Sequence, residues 1–305
     1  MMVHGKQLPI SEPVFKLVSF RKKFSECDEM KKDLEEKYKK LKSIISMMDY
    51  VLIALSGGVD SNLLLRIVHE VLGNKILAAS VISQIRSDDE VEWAAKLVNE
   101  LEIEHIIFQT DELHIAEFNR NPVERCYLCK KNVLTLLTHL AVERKIKYIL
   151  DGSNYDDLKQ YRPGRKACAE FGIISPFVQA KFTKSDIRSL AKKFNLSAWD
   201  RPSQSCFMTR FPYDTPIDKH SIIKVKKAEE LLSLFGLSQK RVRVFPDFVK
   251  LEVLPHEMNK LIENENRTRI IEYYRKLGFQ NVHIDLTGYV SGSMDKEIAK
   301  EKISE

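Results

Sequence analysis

The stretch VLIALSGGVDSNLLLRIVHEVLG, residues 51–73, constrains the fold more than any other part of the chain. Val51–Leu55 is a continuous apolar run ended by a glycine turn, as expected of a buried strand, while Leu64, Ile67, Val68, Val71 and Leu72 recur at the spacing of one helix face. Ser56, Gly57, Gly58, Val59, Asp60 and Ser61 therefore form a strand-to-helix turn. In parallel α/β sheets such turns lie at the carboxyl ends of the strands, where a helix N-terminus offers unpaired N–H groups to an anion. Gly57 and Gly58 let the backbone approach a phosphate closely, and the hydroxyls of Ser56 and Ser61 can donate to the same oxygens. Asp60 would repel a polyphosphate unless it holds a divalent cation such as Mg2+ or orients the loop. No lysine follows the glycines, so the Walker A pattern is not met.

The alternation continues beyond this turn. ILAASVI (76–82) reads as a strand, Ser87 and Glu90 have the spacing of a capping box opening a helix over 88–101, and HIIFQ (105–109) is the next strand. A helix over 127–143 leads to KYIL (147–150), and TKSDIRSLAKKFN (183–195) is a further amphipathic helix. Such a βαβ series implies an α/β fold with a mostly parallel sheet and helices on both faces. From about 207, a helix over 218–235, strands RVRVF (241–245) and VKLEVL (249–254), a helix over 264–278 and a strand NVHIDL (281–286) predict a smaller C-terminal α+β unit. The division expected is an N-terminal helical extension at 1–46, the α/β domain at 47–206 and the α+β domain at 207–305, with the site between the last two. In the extension, MKKDLEEKYKKLKSII puts Met30, Leu34, Tyr38 and Leu41 on one face, as in a solvated helix lying on the domain.

Composition narrows the class. With 305 residues and 44% hydrophobic content the chain can bury a sizeable core. No uncharged apolar run approaches the roughly 20 residues of a membrane span, and MMVHGKQLPI carries no apolar stretch after its basic residue, so neither insertion nor export is expected. Five unevenly spaced cysteines suit reduced thiols in a cytoplasmic setting. A net charge of +6 attracts small phosphate compounds as readily as nucleic acid, and no basic and aromatic platform for RNA stands outside the two domains.

The turn SGGVDS resembles the PP-loop of the ATP pyrophosphatases, Rossmann-like enzymes that cleave ATP between the α and β phosphates. Three more stretches, DGSNYDDLKQYRPGRKACAEFGIISPF (151–177), RPSQSCFMTRFPYDT (201–215) and RVRVF (241–245), are similar to the LarE family, sulfur transferases of nickel-pincer nucleotide synthesis. That resemblance covers residues from about 48 to 292. It implies ATP-dependent adenylation of a carboxylate on a pyridinium dicarboxylate mononucleotide, with sulfide or another sulfur donor then displacing AMP to leave a thiocarboxylate. No membrane or nucleic-acid partner is implied, and a homo-oligomer is expected.

Cys206 stands where the family places its active-site cysteine, which in sacrificial members gives up its own sulfur. NPVERCYLCKK adds Cys126 and Cys129, a C-x-x-C that alone could be half a zinc site, a redox pair or chance. With Cys206 they resemble the three ligands of a [4Fe-4S] cluster with one open iron, as in cluster-dependent members; zinc with Cys168 or a histidine, or independent thiols, are the alternatives. Cys168 and Cys27 read as packing residues. Thr209, Arg210, Arg241 and Arg243 match the family's substrate positions, and alternate residues on a strand share a face, so Arg241 and Arg243 could grip a phosphate together or form an exposed basic strand face. Glu229 fits a family acid, or an exposed helix residue; Asp214 replaces a glycine expected in the RFPYG turn. A tRNA thiolase and a non-catalytic nucleotide or iron-sulfur binding protein are the rival functions.

Overall fold

The computed structural model describes residues 32–160, 162–197, 199–201, 204–290 and 292, so Cys27 and Met30 lie outside the described residues. Helix α1 covers residues 32–46. There follow β1 (Val51–Ala54), α2 (Val59–Leu72), β2 (Ile76–Ser83), α3 (Asp88–Glu100), β3 (Glu104–Thr110), α4 (Ala116–Asn119), α5 (Arg125–Glu143), β4 (Tyr148–Leu150), α6 (Gly164–Glu170), α7 (Pro176–Gln179) and α8 (Lys184–Lys193).

The four strands form one parallel sheet in the order β3-β2-β1-β4. Successive strand residues point to opposite faces, and the core divides accordingly. Val51 and Ile53 of β1 pack with Leu64 and Val68 of α2, Val98 of α3 and Ile187 of α8, while Leu52 packs with Leu134 and Leu137 of α5 on the other face. Helix α1 is more than a solvated helix laid on the surface. Its Leu41 and Ile45, one turn apart, are fully buried in the first of these cores, and Lys37 pairs with Asp186 of α8 at 3.0 Å. At the start of α3, Ser87 holds the N-cap position without a side-chain capping hydrogen bond. The expected capping box therefore does not form, and Glu90 is instead partly buried near the Arg86 charge.

Helix α9 (Lys219–Ser233), β5 (Lys240–Val244), β6 (Val249–Val253), α10 (Met258–Ile262), α11 (Asn264–Lys276) and β7 (Val282–Ile284) make the second layer system. β5 runs antiparallel to β6, and β7 parallel to it. Ile222, Val225, Val242, Leu251 and Tyr274 form its core, which also takes in Ile85, Leu113 and Phe118 from the earlier part of the chain. Among the described residues no helix is long and apolar enough to cross a membrane.

One asparagine ties the Cys206 segment to the start of α5. Asn121, at a left-handed φ of 56°, donates through Nδ2 to the carbonyls of Met208 (3.4 Å), Phe211 (3.2 Å) and Pro212 (2.7 Å). Its own carbonyl accepts from the Asp214 N–H at 3.1 Å. Asp214 also has φ 56°, a conformation that asparagine, aspartate and glycine tolerate best, which accounts for an aspartate where a glycine was expected. Arg125 lies 4.0 Å from the centre of the Tyr213 ring in the same segment. Replacing Asn121 with Ala removes donors from buried carbonyls, so it should cost about 1–3 kcal/mol. A urea unfolding midpoint unchanged in Asn121→Ala would show that the segment is held elsewhere.

Candidate active site

Sheet order places the site. From β1 the chain moves outward through β2 to β3, then returns to add β4 on the opposite edge of β1, so a crevice opens beyond the carboxyl ends of β1 and β4. Ser56–Ser61 follows β1 there, and Gly152 follows β4. Gly57 has φ 83°, and a Cβ on it would fall 1.8 Å from the Glu90 carbonyl oxygen. Gly152 is nearly as confined, since its Cβ would stand 2.8 Å from the Ser61 backbone nitrogen. The loop is braced within itself: the Ser56 and Ser61 hydroxyls are 3.1 Å apart, Ser61 Oγ donates to the Gly58 carbonyl at 3.2 Å, and Asn62 Nδ2 donates to the Gly57 carbonyl at 3.1 Å.

Asp60 faces a cation that the sequence reading missed. Its Oδ2 accepts from Lys184 Nζ at 2.6 Å, while Oδ1 is buried with no hydrogen-bond partner. Burial pushes the Asp60 carboxyl above the usual range, against the pull of Lys184. The lone Oδ1 suits a bound Mg2+ or one of its waters. Lys184 stands at the first residue of α8, capped by Thr183 and Asp186, and TKSD showed only a helix start.

Two of the thiols, Cys129 and Cys206, lie near Arg86, in the β2–α3 connection. Arg86 Nη2 donates to Cys129 Sγ at 3.7 Å, and Cys206 is close enough for its charge to act on both. Burial pushes the Cys129 thiol up, opposed by the Arg86 guanidinium. Cys126 is exposed, one turn before Cys129 on α5. Among the described residues no three His, Cys, Asp or Glu side chains gather closely enough to hold a metal ion. Cluster ligands each bind a different iron and stand further apart than those of one ion. Cys168 is buried in the core beneath the sheet, and its thiol donates to Asp151 Oδ2 at 3.5 Å. Burial pushes it up to about 11.

The positions expected to meet a substrate converge behind Cys206. Arg210 is 1% exposed and holds both Glu229 carboxylate oxygens at 2.9 Å, with its remaining donors on Ser205, the Cys206 carbonyl at 3.1 Å and Thr209 Oγ1 at 3.1 Å. Glu229 is buried rather than exposed and also accepts from the Val242 N–H at 3.0 Å. Arg243 donates through Nε to Glu252 at 3.0 Å and through Nη1 to the Thr209 carbonyl. Arg241 is 3% exposed, two residues along β5, so RVRVF is not an exposed basic strand face. Burial, then the nearby Arg210 charge, bring Arg241 down to about 10, still a cation at neutral pH.

A parallel sheet with a glycine and serine loop after its central strand, at the switch point, is the architecture of the PP-loop class of ATP-using enzymes. The asparagine synthase family profile matches residues 49–162, the part that holds this loop. The pyridinium-3,5-bisthiocarboxylic acid mononucleotide synthase of Lactiplantibacillus plantarum is 32% identical over 256 residues, 83% of this chain and 92% of that protein. An uncharacterized protein of Synechocystis is 33% identical over 267 residues, 88% of this chain and all of its own. One of Methanocaldococcus jannaschii is 31% identical over 264 residues, 86% of this chain and 96% of its own. The chain belongs to the LarE family of ATP-dependent sulfur transferases.

Two outcomes follow from the charges. Truncating Glu229 to Ala strands a buried guanidinium and should destabilise the protein by about 3–5 kcal/mol in denaturant unfolding; a loss no larger than that of an exposed pair would mean the network is not structural. Burial raises Glu90 from its ordinary 4.5 to about 7, so the folded protein keeps a proton that the unfolded chain releases. Stability should therefore fall as pH rises through that window, and Glu90→Gln should flatten the fall and exceed wild type at about pH 8. Parallel melting-temperature profiles for the two proteins would contradict this.

Proposed function

We propose that this protein binds ATP through Ser56–Ser61, adenylates a carboxylate of a pyridinium dicarboxylate mononucleotide and converts it to a thiocarboxylate. The observation that carries the reading is the run Ile85–Glu90. Its first carbonyl accepts from the Phe207 N–H at 2.8 Å beside Cys206, Arg86 touches Cys129, and the Glu90 carbonyl fills the space next to Gly57. One short segment thus separates the nucleotide loop from the thiols, as activation followed by sulfur attack requires. Gly58 supports the same reading: its φ is an ordinary −68°, and a Cβ there would meet nothing nearer than Ser56 Oγ at 3.6 Å. The protein itself would accept a side chain at 58, and glycine leaves that room to a ligand.

The carboxylate oxygen attacks the α-phosphorus, the bond to the bridging oxygen breaks, and pyrophosphate leaves. A carboxylate resists nucleophiles until its oxygen becomes part of a good leaving group; sulfur then bonds to the acyl carbon as AMP departs. Asp60 and Lys184 would position Mg2+ and the departing phosphates. Arg210, Arg241 and Arg243 would hold the substrate phosphate, with Thr209 and Glu229 setting their geometry. Arg210, Arg241 and Arg243 are all buried and lie together behind Cys206, and such a cluster of guanidiniums suits an anionic group. Cys126, Cys129 and Cys206 would hold a [4Fe-4S] cluster, which when bound supplies an iron open to sulfide. The i, i+3 spacing of Cys126 and Cys129 keeps their Cβ atoms about 5–6 Å apart on one side of α5.

With ATP, the mononucleotide and sulfide, the protein should form AMP, pyrophosphate and thiocarboxylate, and Asp60→Ala should abolish adenylation. ADP and phosphate as main products would overturn the assignment. Anaerobic protein should carry about four irons per chain, lost in Cys126→Ser and Cys129→Ser while adenylation persists. A stoichiometric loss of about 34 Da at Cys206 with no iron required would instead mark that cysteine as the sulfur source.

A further inference from the structure

Cys129 has a second side. Away from Arg86 and Cys206 it ends a groove of about 230 Å³ between α5 and the segment around α4. Ile115, Phe118 and Leu128 wall the groove, and Thr135 stands along it two turns from Cys129. Its floor is the Glu112 carboxylate, 1% exposed, which accepts from Thr110 Oγ1 at 2.9 Å and from the Ser83 hydroxyl. No residue of the nucleotide loop or of the arginine cluster lines it. The crevice at the ends of β1 and β4 and this groove therefore reach the thiols by different routes.

We propose that the groove is the entrance for the sulfur donor, and that it takes sulfide as neutral hydrogen sulfide. The proposal rests on the sulfur-transfer reading above and adds the route and charge state of the donor. Size argues for a small occupant, since 230 Å³ lies below the roughly 300–1,000 Å³ of pockets that hold nucleotides and other sizeable ligands. Charge selects the form. At the mouth Glu117 and Lys131 offset each other, leaving Glu112 to set the sign of the interior. A buried carboxylate among apolar walls repels hydrosulfide, phosphates and carboxylates but not the uncharged molecule. Beyond Cys129 the sign reverses at Arg86, whose guanidinium favours hydrogen sulfide ionised to hydrosulfide on the side facing Cys206, the proton passing back along the groove to solvent. Separate doors let sulfur arrive while the nucleotide occupies the crevice.

The labelling test uses the full-length protein free of substrates and stripped of iron by a chelator, so that all three thiols are unligated. Cys126, Cys129 and Cys206 are modified with neutral methyl methanethiosulfonate and with its anionic sulfonatoethyl analogue, and each site is followed by peptide mass spectrometry. Cys129 should react at least tenfold faster with the neutral reagent. Thr135→Trp, at an exposed position outside the reaction machinery, should slow that reaction about tenfold while Cys126 and Cys206 keep their rates, and Thr135→Ser should behave as wild type. In turnover, Thr135→Trp should raise the sulfide concentration for half-maximal rate by a similar factor and leave that for ATP unchanged. Equal reaction of Cys129 with both reagents, or a rate indifferent to Thr135→Trp, in a protein that does transfer sulfur would overturn the groove alone. Wild-type protein that labels as expected but forms no AMP would overturn the sulfur-transfer reading, and the groove's role with it.

Discussion

Strand β1 is paired in parallel along both edges, to β2 through Val51–Ile76 and to β4 through Val51–Tyr148, and the candidate site hangs from its carboxyl end. Pairing on both sides, with Val51, Leu52 and Ile53 all fully buried, fixes where the loop begins. The close approaches then fix its path. Gly57 abuts the Glu90 carbonyl and Gly152 abuts Ser61, so the first turns of α2 and α3 and the exit of β4 are locked to one another without side chains between them. Backbone packed this tightly leaves the loop little freedom, as a phosphate cradle needs.

The same lock links the two halves of the candidate site. The β2–α3 connection touches the loop through Glu90, Cys129 through Arg86 and the Cys206 segment through Ile85. The Cys206 segment is held a second time by Asn121 and Arg125, from the turn that starts the helix bearing Cys126 and Cys129. Behind it, Arg210 and Arg243 brace the Cys206–Arg210 turn from below. Such supports keep thiols and nucleotide loop in register at the cost of burying several charges, each of which has a partner or a neighbouring ring.

Much of this was legible along the chain. Apolar period two and period 3.6 located the strands and helices, because those periods are what burying one face of an element requires. SGGVDS marked the loop, since few other uses call for adjacent glycines and hydroxyls between a buried strand and a helix. Glu229 was ambiguous in KKAEELL because helical spacing cannot tell which face meets a second layer; its burial against Arg210 is a long-range fact. Asn121 and Arg125 sat in NPVERCYLCKK beside cysteines that drew the reading away from them. Their partners are 87 to 91 residues distant for Asn121, beyond any local pattern.

By itself the sequence determined the α/β alternation, the place of SGGVDS between a buried strand and a helix, and which thiols and arginines were candidates, because local periodicity and residue chemistry are properties of short stretches. Only the tertiary structure decided that Lys184 meets Asp60 across 124 residues of chain, that Arg86 meets Cys129 with Cys206 near both, and that Cys129 lines a groove. These depend on strand order, which sets what faces what across the switch point. No one-dimensional pattern carries that order, since it emerges from the joint burial of all the elements at once.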